Sequence, residues 1–336
     1  MSELNKIALK ILSSGKGILA ADESNGTMTK RLDSVSVSST PENRLLFRET
    51  LFSADGMKDF IGGVILYDET INQTSSSKQS IPKLISKSGA VPGIKVDTGA
   101  KILAGSTEEK ITEGLDGLRE RLQTYYKLGA RFTKWRGVYN ISEKYPSKLS
   151  IHSNAHALAR YSALVQECGM VPIVEPEVLM DGDHTAETCF SKTSEVIKKC
   201  FDELLIHKID LSGIILKPNM ILAGTTHDKK ISSEEVAKLT LKCLKENVPS
   251  DVPGIAFLSG GQTEIEATEN LNSINLHNQT NFIMTYSYGR ALHQSALKFW
   301  SKDIKNIEGT QKVFNHRANM CTLAAQGKWS KELESK

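Results

Sequence analysis

The segment Leu211-Ser-Gly-Ile-Ile-Leu-Lys-Pro-Asn219 joins a short apolar run to a lysine. The residues from Leu211 to Leu216 predict a β-strand that is buried on both faces, as in a parallel sheet. At the end of such a strand Lys217 would lose water around its ammonium group, and desolvation lowers the pKa of an amine. A neutral lysine is a nucleophile toward carbonyls. The alternative is a lysine that extends from the strand end into solvent.

Seven other segments are short, apolar and rich in β-branched residues, so they also predict strands. They are Gly17–Ala21, Gly63–Tyr67, Gly93–Val96, Arg131–Trp135, Met170–Val174, Gly254–Leu258 and Asn281–Tyr286. Together with the segment that ends at Leu216 they make eight, most of them separated by about 30 to 45 residues. Such spacing leaves room for one helix after each strand, which indicates a parallel sheet.

Several of the intervening segments have the apolar period of helices. Thr107 to Leu128 is expected to be one helix, with Ser106 as its N-cap before an acidic first turn. Ser191 to His207 and Ser232 to Glu246 predict two more, and Met1 to Lys10 predicts an amphipathic N-terminal helix.

Eight strand–helix units in one chain of 336 residues favour a closed (β/α)₈ TIM barrel in the α/β class. An open doubly wound sheet is the alternative. We expect a single domain over residues 1–336, with extra N-terminal and C-terminal helices. The residues from about 325 to 336 are expected to form a flexible tail.

Composition excludes several classes of function. The net charge is +3, which does not favour nucleic acid, and no basic run or aromatic-interleaved patch appears. No apolar stretch is long enough to cross a bilayer, and the N-terminus lacks the apolar core of a signal peptide. The five cysteines are odd in number and have no paired spacing, so we expect reduced thiols in a cytoplasmic protein.

Polar or ionisable residues follow or end every predicted strand. In a TIM barrel these positions meet at one face, where the reactive site lies. The residues in question include Asp22, Ser24, Lys95, Lys134, Arg136, Glu175, Glu177, Lys217, Ser259, Ser287 and Arg290.

This set indicates two kinds of chemistry. Lys95, Lys134 and Lys217 would repel one another, so one amine can be neutral near pH 7, and Asp22 and Glu175 offer acid–base groups. The glycine-rich ends of the last two strands, Ser259-Gly-Gly and Ser287-Tyr-Gly-Arg290, suit a phosphate that backbone N–H groups approach closely. A small phosphorylated substrate with a reactive carbonyl fits both features.

The ordered motifs of the chain resemble those of the class I fructose-1,6-bisphosphate aldolases over residues 4 to about 330. The matching motifs are Ile18-Leu-Ala-Ala-Asp-Glu-Ser24, Gly93-Ile-Lys-Val-Asp97, Lys134-Trp-Arg136, Val174-Glu-Pro-Glu177, Leu216-Lys-Pro-Asn219, Leu258-Ser-Gly-Gly-Gln262 and Ser287-Tyr-Gly-Arg-Ala-Leu292. The resemblance implies cleavage of fructose 1,6-bisphosphate in glycolysis and gluconeogenesis, with no metal and no cofactor.

The resemblance also implies roles for single residues. Lys217 would form the Schiff base, Glu175 would act as its acid–base group, Lys134 would help to lower the pKa of Lys217, and Asp22 would take the proton of the C4 hydroxyl. Glu177 would support Glu175; the alternative is a charge paired with a neighbouring lysine. The expected phosphate contacts are Ser259, Gly260, Gly289 and Arg290 at C1, and Ser24, Thr27, Arg31, Arg44, Lys95 and Arg136 at C6. Gly261 and Ser287 are also expected to bind the substrate or its phosphates.

The family's animal members end in a tyrosine that exchanges the enamine proton, whereas the last tyrosine here is Tyr288. A phosphate oxyanion, Glu175 or water is expected to take that role, and removal of the residues after Gly327 is expected to change turnover little. By resemblance we also expect a homotetramer, with small phosphorylated ketoses and trioses as partners.

Other readings remain open. The substrate of a Schiff-base aldolase could be fructose 1-phosphate or sedoheptulose 1,7-bisphosphate, and transaldolases and deoxyribose-phosphate aldolases are related lysine barrels. A non-catalytic scaffold on the same fold would predict loss of Lys217, Glu175 or Asp22, and all three are present. His152 and His156 have the spacing of a metal pair on a helix, but without an accompanying Glu-x-x pattern they are expected to be surface or capping residues.

Overall fold

The computed structural model describes residues 1–335 and contains a closed barrel of eight parallel strands. In chain order the strands are β1 (Gly17–Ala21), β2 (Ile61–Leu66), β3 (Val91–Lys95), β4 (Gly99–Ile102), β5 (Lys110–Glu113), β6 (Phe132–Tyr139), β7 (Val171–Val178), β8 (Ile215–Leu216), β9 (Gly254–Phe257) and β10 (Ile283–Tyr288). The barrel order is β1-β10-β9-β8-β7-β6-β3-β2, and β4 and β5 form a separate antiparallel hairpin. The expected TIM barrel is therefore confirmed.

Helices surround the barrel. They are α1 (Glu3–Leu12), α2 (Asn25–Asp33), α3 (Pro41–Phe52), α4 (Met57–Phe60), α5 (Asp68–Ile71), α6 (Ile81–Lys87), α7 (Leu118–Leu128), α8 (Lys148–Glu167), α9 (Ala186–Ile206), α10 (Ser233–Asn247), α11 (Glu264–His277), α12 (Arg290–Trp300) and α13 (Ile307–Ala325). Short 3-10 helices lie at Ser13–Gly15, Leu211–Gly213 and Lys331–Ser335. Within residues 1–335, no helix combines the length and apolar character that a bilayer span requires.

Two apolar clusters form the core. The larger lies between the sheet and the surrounding helices and includes Trp135 and Trp300. The smaller fills the barrel interior with side chains such as Ile65 and Phe132, and it continues into Ile11 of α1. Because α1 packs across the amino-terminal end of the barrel, the opposite end is the one left open to substrate.

The strand expected over Leu211–Leu216 is shorter than its apolar run suggests. Residues Leu211–Gly213 form a 3-10 turn, and only Ile215 and Leu216 pair as strand β8. The side chain of Asp210 caps this turn by accepting a hydrogen bond from the Ser212 N–H at 3.0 Å, and Asn5 of α1 donates to the Ser212 carbonyl at 2.8 Å. These local hydrogen bonds thus replace strand pairing over residues Leu211–Gly213.

The prediction of a single helix over Thr107–Leu128 is wrong for the first half of that segment. Lys110–Glu113 is strand β5 of the hairpin, and helix α7 begins only at Leu118. Gly114 and Gly117 have φ values of +123° and +63°, a left-handed conformation that ends regular structure between the two elements. Ser106 accepts a hydrogen bond from the Glu109 N–H, but it caps a turn and not a helix.

The other expected helices are present. The N-terminal helix is α1, and α10 follows its N-cap Ser232, whose hydroxyl accepts from the Glu235 N–H at 3.3 Å. The helix expected from Ser191 begins earlier, at Ala186, because Thr185 provides the N-cap. The five cysteines are unpaired.

The segment expected to be a flexible tail makes specific contacts in the structure. Helix α13 continues to Ala325, and Trp329 is 8% exposed. The Trp329 indole N–H donates to Glu334 at 2.8 Å, and Arg317 of α13 binds the same carboxylate at 2.6 Å. This part of the chain is therefore held against the barrel, while Lys336 lies outside the described residues.

Candidate active site

The carboxyl ends of the eight barrel strands surround a cavity of about 470 Å³. Every strand, or the residues directly after it, contributes to the wall. One lining residue from each strand in chain order is Ala20, Tyr67, Lys95, Lys134, Glu175, Lys217, Leu258 and Ser287. Parallel strands place their ends on one face, and the helix on the amino-terminal side leaves only this face open.

Lys217 lies at the floor of the cavity, directly after β8. Its backbone N–H donates to the Val174 carbonyl at 2.8 Å, which fixes the residue beside β7. The side chain is 4% exposed, and its Nζ lies 3.2 Å from Oε1 of Glu175. Burial lowers the pKa of Lys217 below its ordinary value; the Glu175 carboxylate opposes this shift and the charge of Lys134 adds to it.

Lys134 of β6 has the opposite electrostatic character. Its Nζ lies 2.9 Å from Asp22 and 3.2 Å from Oε2 of Glu175, so two carboxylates face one ammonium group. Burial would lower the pKa of Lys134, but Asp22 and Glu175 raise it well above its ordinary value. Of the two buried lysines, Lys134 therefore holds the positive charge and Lys217 is the one inclined to be neutral.

The two carboxylates at the floor of the cavity, Asp22 and Glu175, have different surroundings. Burial would raise the pKa of Asp22, but the charges of Lys134 and Lys217 hold it below its ordinary value, so Asp22 is anionic. Glu175 is 3% exposed and bridges the two lysines, with Oε2 facing Lys134 and Oε1 facing Lys217. Its Oε1 is therefore in reach of a group bound at Lys217.

One side of the rim is built around the N-terminus of α2. Ser24 is the N-cap, and its hydroxyl accepts a hydrogen bond from the Thr27 N–H at 3.3 Å. Arg31 lines the cavity from the next turns of the same helix, while Lys95 at the end of β3 is held by Asp97. Hydroxyls, cations and a helix N-terminus together suit an anion.

The other side of the rim lies at the ends of β9 and β10. Gly289 and Arg290 begin α12, whose first N–H groups have no side-chain cap. The Ser287 hydroxyl is buried, lines the cavity and has no hydrogen-bond partner. Ser259 and Gly260 complete this side. The uncapped N-terminus of α12 and the unpaired Ser287 hydroxyl together form a second site that suits an anion.

Two residues expected at the phosphate contacts lie elsewhere. Arg44 points away from the cavity, because both its Nε and its Nη2 donate to Glu69, and its Nη1 donates to the Ser39 carbonyl. Gly261 does not line the cavity either. Its φ of +76° forms the turn after β9, where an added Cβ would meet Cβ of Met180 at 2.8 Å.

Glu177 and Arg136 both line the cavity and bind each other. The alternative of a charge paired with a neighbouring cation is therefore what the geometry shows for Glu177, with arginine in place of the expected lysine. Burial would lower the pKa of Arg136, but the Glu177 carboxylate raises it above its ordinary value.

Sequence reasoning missed the network around Glu23. This carboxylate lines the cavity, receives hydrogen bonds from Arg31 and Arg48, and lies 3.2 Å from Nε2 of His293. Burial would raise the pKa of Glu23, but His293 and the two arginines hold it far below its ordinary value. No local pattern joins these residues, since Glu23 and His293 are 270 positions apart.

The model of the family described as fructose-bisphosphate aldolase class-I matches residues 3–336. The chain belongs to this family. A probable fructose-bisphosphate aldolase class 1 from Xylella fastidiosa (strain Temecula1) is 48% identical over 330 residues, which are 98% of this chain and 99% of the relative. A non-muscle fructose-bisphosphate aldolase from Lethenteron camtschaticum is 49% identical over 97% of this chain and 90% of its own.

A solved structure agrees with this assignment. It is a ternary co-crystal structure of fructose-bisphosphate aldolase from Plasmodium falciparum in complex with TRAP and a small-molecule inhibitor. That chain is 44% identical to this one and superposes with a TM-score of 0.96 over 98% of this chain and 95% of its own. The resemblance carried by the strand-end motifs is thus confirmed, and membership of the class makes the chain a metal-independent lyase.

Proposed function

We propose that the chain cleaves fructose 1,6-bisphosphate reversibly into dihydroxyacetone phosphate and glyceraldehyde 3-phosphate through a Schiff base on Lys217. The reaction belongs to glycolysis and gluconeogenesis. The observation that carries the proposal is a buried lysine of lowered pKa in contact with a buried carboxylate, at the floor of the barrel cavity. Membership of the aldolase family supplies the substrate class.

The first step joins the ketose to Lys217. The neutral amine attacks C2, and the resulting carbinolamine loses its hydroxyl as water to form the protonated imine. Glu175 gives and takes the protons of this step, because its Oε1 lies 3.2 Å from Nζ of Lys217. Lys134 is held in its protonated form between Asp22 and Glu175. Its positive charge disfavours protonation of the neighbouring Lys217.

The second step breaks the C3–C4 bond. Its electron pair moves to the protonated imine and yields an enamine, while the proton of the C4 hydroxyl goes to Asp22. The anionic state of Asp22 suits it to accept that proton. Glyceraldehyde 3-phosphate leaves, the enamine is protonated at C3, and water releases dihydroxyacetone phosphate from Lys217.

The two ends of the bisphosphate bind at the two sides of the rim. We assign the C1 phosphate to the N-terminus of α12 with Ser259 and Ser287, and the C6 phosphate to the N-terminus of α2 with Arg31 and Lys95. Two separate anion sites favour a bisphosphate over a monophosphate. Fructose 1-phosphate and sedoheptulose 1,7-bisphosphate are the remaining candidate substrates.

Borohydride reduction tests the Schiff base. With fructose 1,6-bisphosphate and a metal chelator present, borohydride should attach the sugar covalently and inactivate the enzyme. Peptide mass spectrometry should place the adduct on Lys217. The Lys217→Met variant should form no adduct, whereas Lys87→Met, which changes an exposed lysine outside the cavity, should be labelled like the parent. Absence of the adduct, or inhibition by chelator alone, would sink the proposal.

Lys95 tests the C6 phosphate site. Lys95→Ala should lower kcat/KM for fructose 1,6-bisphosphate by about 10- to 150-fold, because a hydrogen bond to a charged group contributes about 1.5–3 kcal/mol. The loss for fructose 1-phosphate should be smaller, since that substrate has no second phosphate. Lys101→Ala changes an exposed lysine outside the cavity and is the control. Equal losses for both substrates would place Lys95 elsewhere in the reaction.

We propose a cytoplasmic location and a homotetramer as well. One relative, 46% identical over 97% of this chain, is named fructose-bisphosphate aldolase 4, cytosolic, from Arabidopsis thaliana. Five unpaired cysteines suit a reducing compartment. The tetramer rests on family resemblance, and light scattering coupled to size-exclusion chromatography would measure it; a monomer would contradict it.

A further inference from the structure

A cluster of histidines surrounds one buried carboxylate on the outer surface of the barrel, apart from the catalytic cavity. His152 and His156 lie one turn apart on α8, and Glu203 and His207 lie one turn apart at the end of α9. Helices α8 and α9 pack against each other, so the two pairs face one another. Ligand atoms of His156, Glu203 and His207 all lie within 4.8 Å of one another.

Two of the histidines are in direct contact with the carboxylate of Glu203. Nδ1 of His156 is 3.1 Å from Oε2 of Glu203, and Nδ1 of His152 is 3.4 Å from its Oε1. Ligands about 2.0–2.1 Å from a tetrahedral zinc ion lie about 3.3 Å from one another. The contacting atoms of His156 and Glu203 thus already have a separation that two ligands of one ion would need.

His207 is oriented as a ligand. Its Nδ1 lies 2.9 Å from the backbone carbonyl of Glu203, so the ring donates its Nδ1–H there and keeps the lone pair on Nε2. Metal-binding histidines are commonly held in this way, with one ring nitrogen on a carbonyl and the other on the ion. The His156 and His207 rings have centroids 5.0 Å apart and meet edge to face.

Glu203 is at the centre of the cluster, and one of its oxygens faces the histidines. Its side chain is 5% exposed. Lys199 contacts Oε1 at 2.8 Å, which leaves Oε2 facing His156.

We propose that His156, Glu203 and His207 bind a divalent transition-metal ion. Imidazole nitrogens with one carboxylate oxygen match zinc and its neighbours, and a site of oxygens alone would match calcium or magnesium. The ion joins α8 to α9 and stabilises the folded chain by an amount that increases with the logarithm of the metal concentration once this exceeds Kd. It lies outside the aldolase cavity and takes no part in the aldol reaction.

Metal binding to the full chain tests the site directly. After chelator treatment and dialysis, titration calorimetry with Zn²⁺ should show one ion per chain. Co²⁺ should give the ligand-field absorption of a tetrahedral site with nitrogen and oxygen ligands, and Zn²⁺ should raise the Tm. His156→Ala and His207→Ala should each weaken binding by about 100-fold; both side chains are partly exposed, so the variants should fold, which circular dichroism verifies.

His277→Ala is the matched control. His277 ends α11 with the same local contact, its Nδ1 lying 2.8 Å from the Ser273 carbonyl, but it lies outside the cluster. Its Zn²⁺ affinity should equal that of the parent. Parent binding that is absent, or unchanged in both His156→Ala and His207→Ala, would overturn the site. Because none of these readouts measures aldol cleavage, failure here and failure of the Schiff-base proposal are separate results.

Discussion

At the scale of residues, Lys134 and Lys217 show how position decides the chemistry of a side chain. Both are buried lysines in contact with Glu175. Lys134 also contacts Asp22, so its pKa is raised, whereas Lys217 has one carboxylate against the cost of burial and its pKa is lowered. Burial is the larger cause at Lys217, and the charge of Lys134 adds to it. Contact with a second carboxylate thus distinguishes the lysine of raised pKa from the lysine of lowered pKa, which is the proposed nucleophile.

Replacement of Lys134 tests this division of charge. Lys134→Met removes a positive charge next to Lys217, so the pKa of Lys217 should rise. The rate of imine formation needs the neutral amine, and its increase with pH should therefore move to higher pH. We also expect kcat to fall by about 100-fold, in the range of a lost acid–base partner. Borohydride trapping rates and kcat/KM across pH measure both effects.

Lys134→Arg is the control for that variant. It retains the charge between Asp22 and Glu175, so the pH dependence of imine formation should stay close to that of the parent even if the altered geometry lowers kcat. A pH dependence in Lys134→Met that does not move would show that burial alone sets the pKa of Lys217.

At the scale of elements, Glu23 connects the end of β1 to three helices. Its partners are Arg31 on α2, Arg48 on α3 and His293 on α12. Arg48 and His293 are almost fully buried, so the loss of Glu23 would leave buried groups without their partner. The network holds the N-terminus of α2, one of the two proposed phosphate sites, against the barrel.

Glu23→Gln should lower the free energy of unfolding by about 3–5 kcal/mol near neutral pH, the cost of breaking a buried ion pair. The folded-state pKa of Glu23 is depressed, so its contribution is present above the unfolded carboxyl pKa of about 4.3 and is lost as pH falls below it. Urea denaturation of parent and variant should therefore differ most at neutral pH and converge in acid. A gap that persists in acid would contradict this account.

Glu308→Gln is the control for Glu23→Gln. Glu308 pairs with Lys312 on the solvent side of α13, where solvent screens the pair. Its replacement should leave the denaturation midpoint unchanged at every pH.

Element boundaries were predictable where the local pattern and the tertiary contacts agree. The existence of the eight strands and the bounds of α10 follow from apolar period and capping residues alone. The hairpin β4–β5 was missed because Ile111 and Leu115 fit a helical period in sequence, although Gly114 and Gly117, both of positive φ, interrupt that segment before α7. The 3-10 turn at Leu211–Gly213 was missed because the contact with Asn5 comes from the other end of the chain.

At the scale of the whole molecule, the residues after α13 return to pack on the barrel. The Trp329 backbone N–H donates to Asn272 of α11 at 3.0 Å, and Glu334 binds Arg317, which also donates to Thr268 at 3.0 Å. Within residues 1–335, nothing after Arg290 lines the catalytic cavity. These contacts therefore bear on stability more than on the reaction.

Truncation after Gly327 should separate the two properties. Loss of the buried Trp329 should lower the free energy of unfolding by about 3–5 kcal/mol, and kcat should change little at temperatures where the shortened chain is folded. Calorimetric unfolding and steady-state assays measure the two quantities, and the exposed Lys331→Ala variant is the control. A large selective loss of enamine proton exchange in the shortened chain would show that the segment reaches the reaction.

The sequence alone determined the barrel and most of its reactive face. Strand ends are local features, and a parallel barrel brings all of them to one side whatever lies between. The sequence therefore identified the four residues proposed to be catalytic, which are Asp22, Lys134, Glu175 and Lys217. The family motifs supplied the roles proposed for them.

Only the tertiary structure decided how charge is distributed among those four residues. It also decided which of the predicted site residues point away from the cavity. The binding of Arg44 to Glu69, the network of Glu23 and the histidine cluster around Glu203 each depend on side chains that meet across different elements. Burial and Coulomb interactions act through space, so spacing along the chain does not contain them.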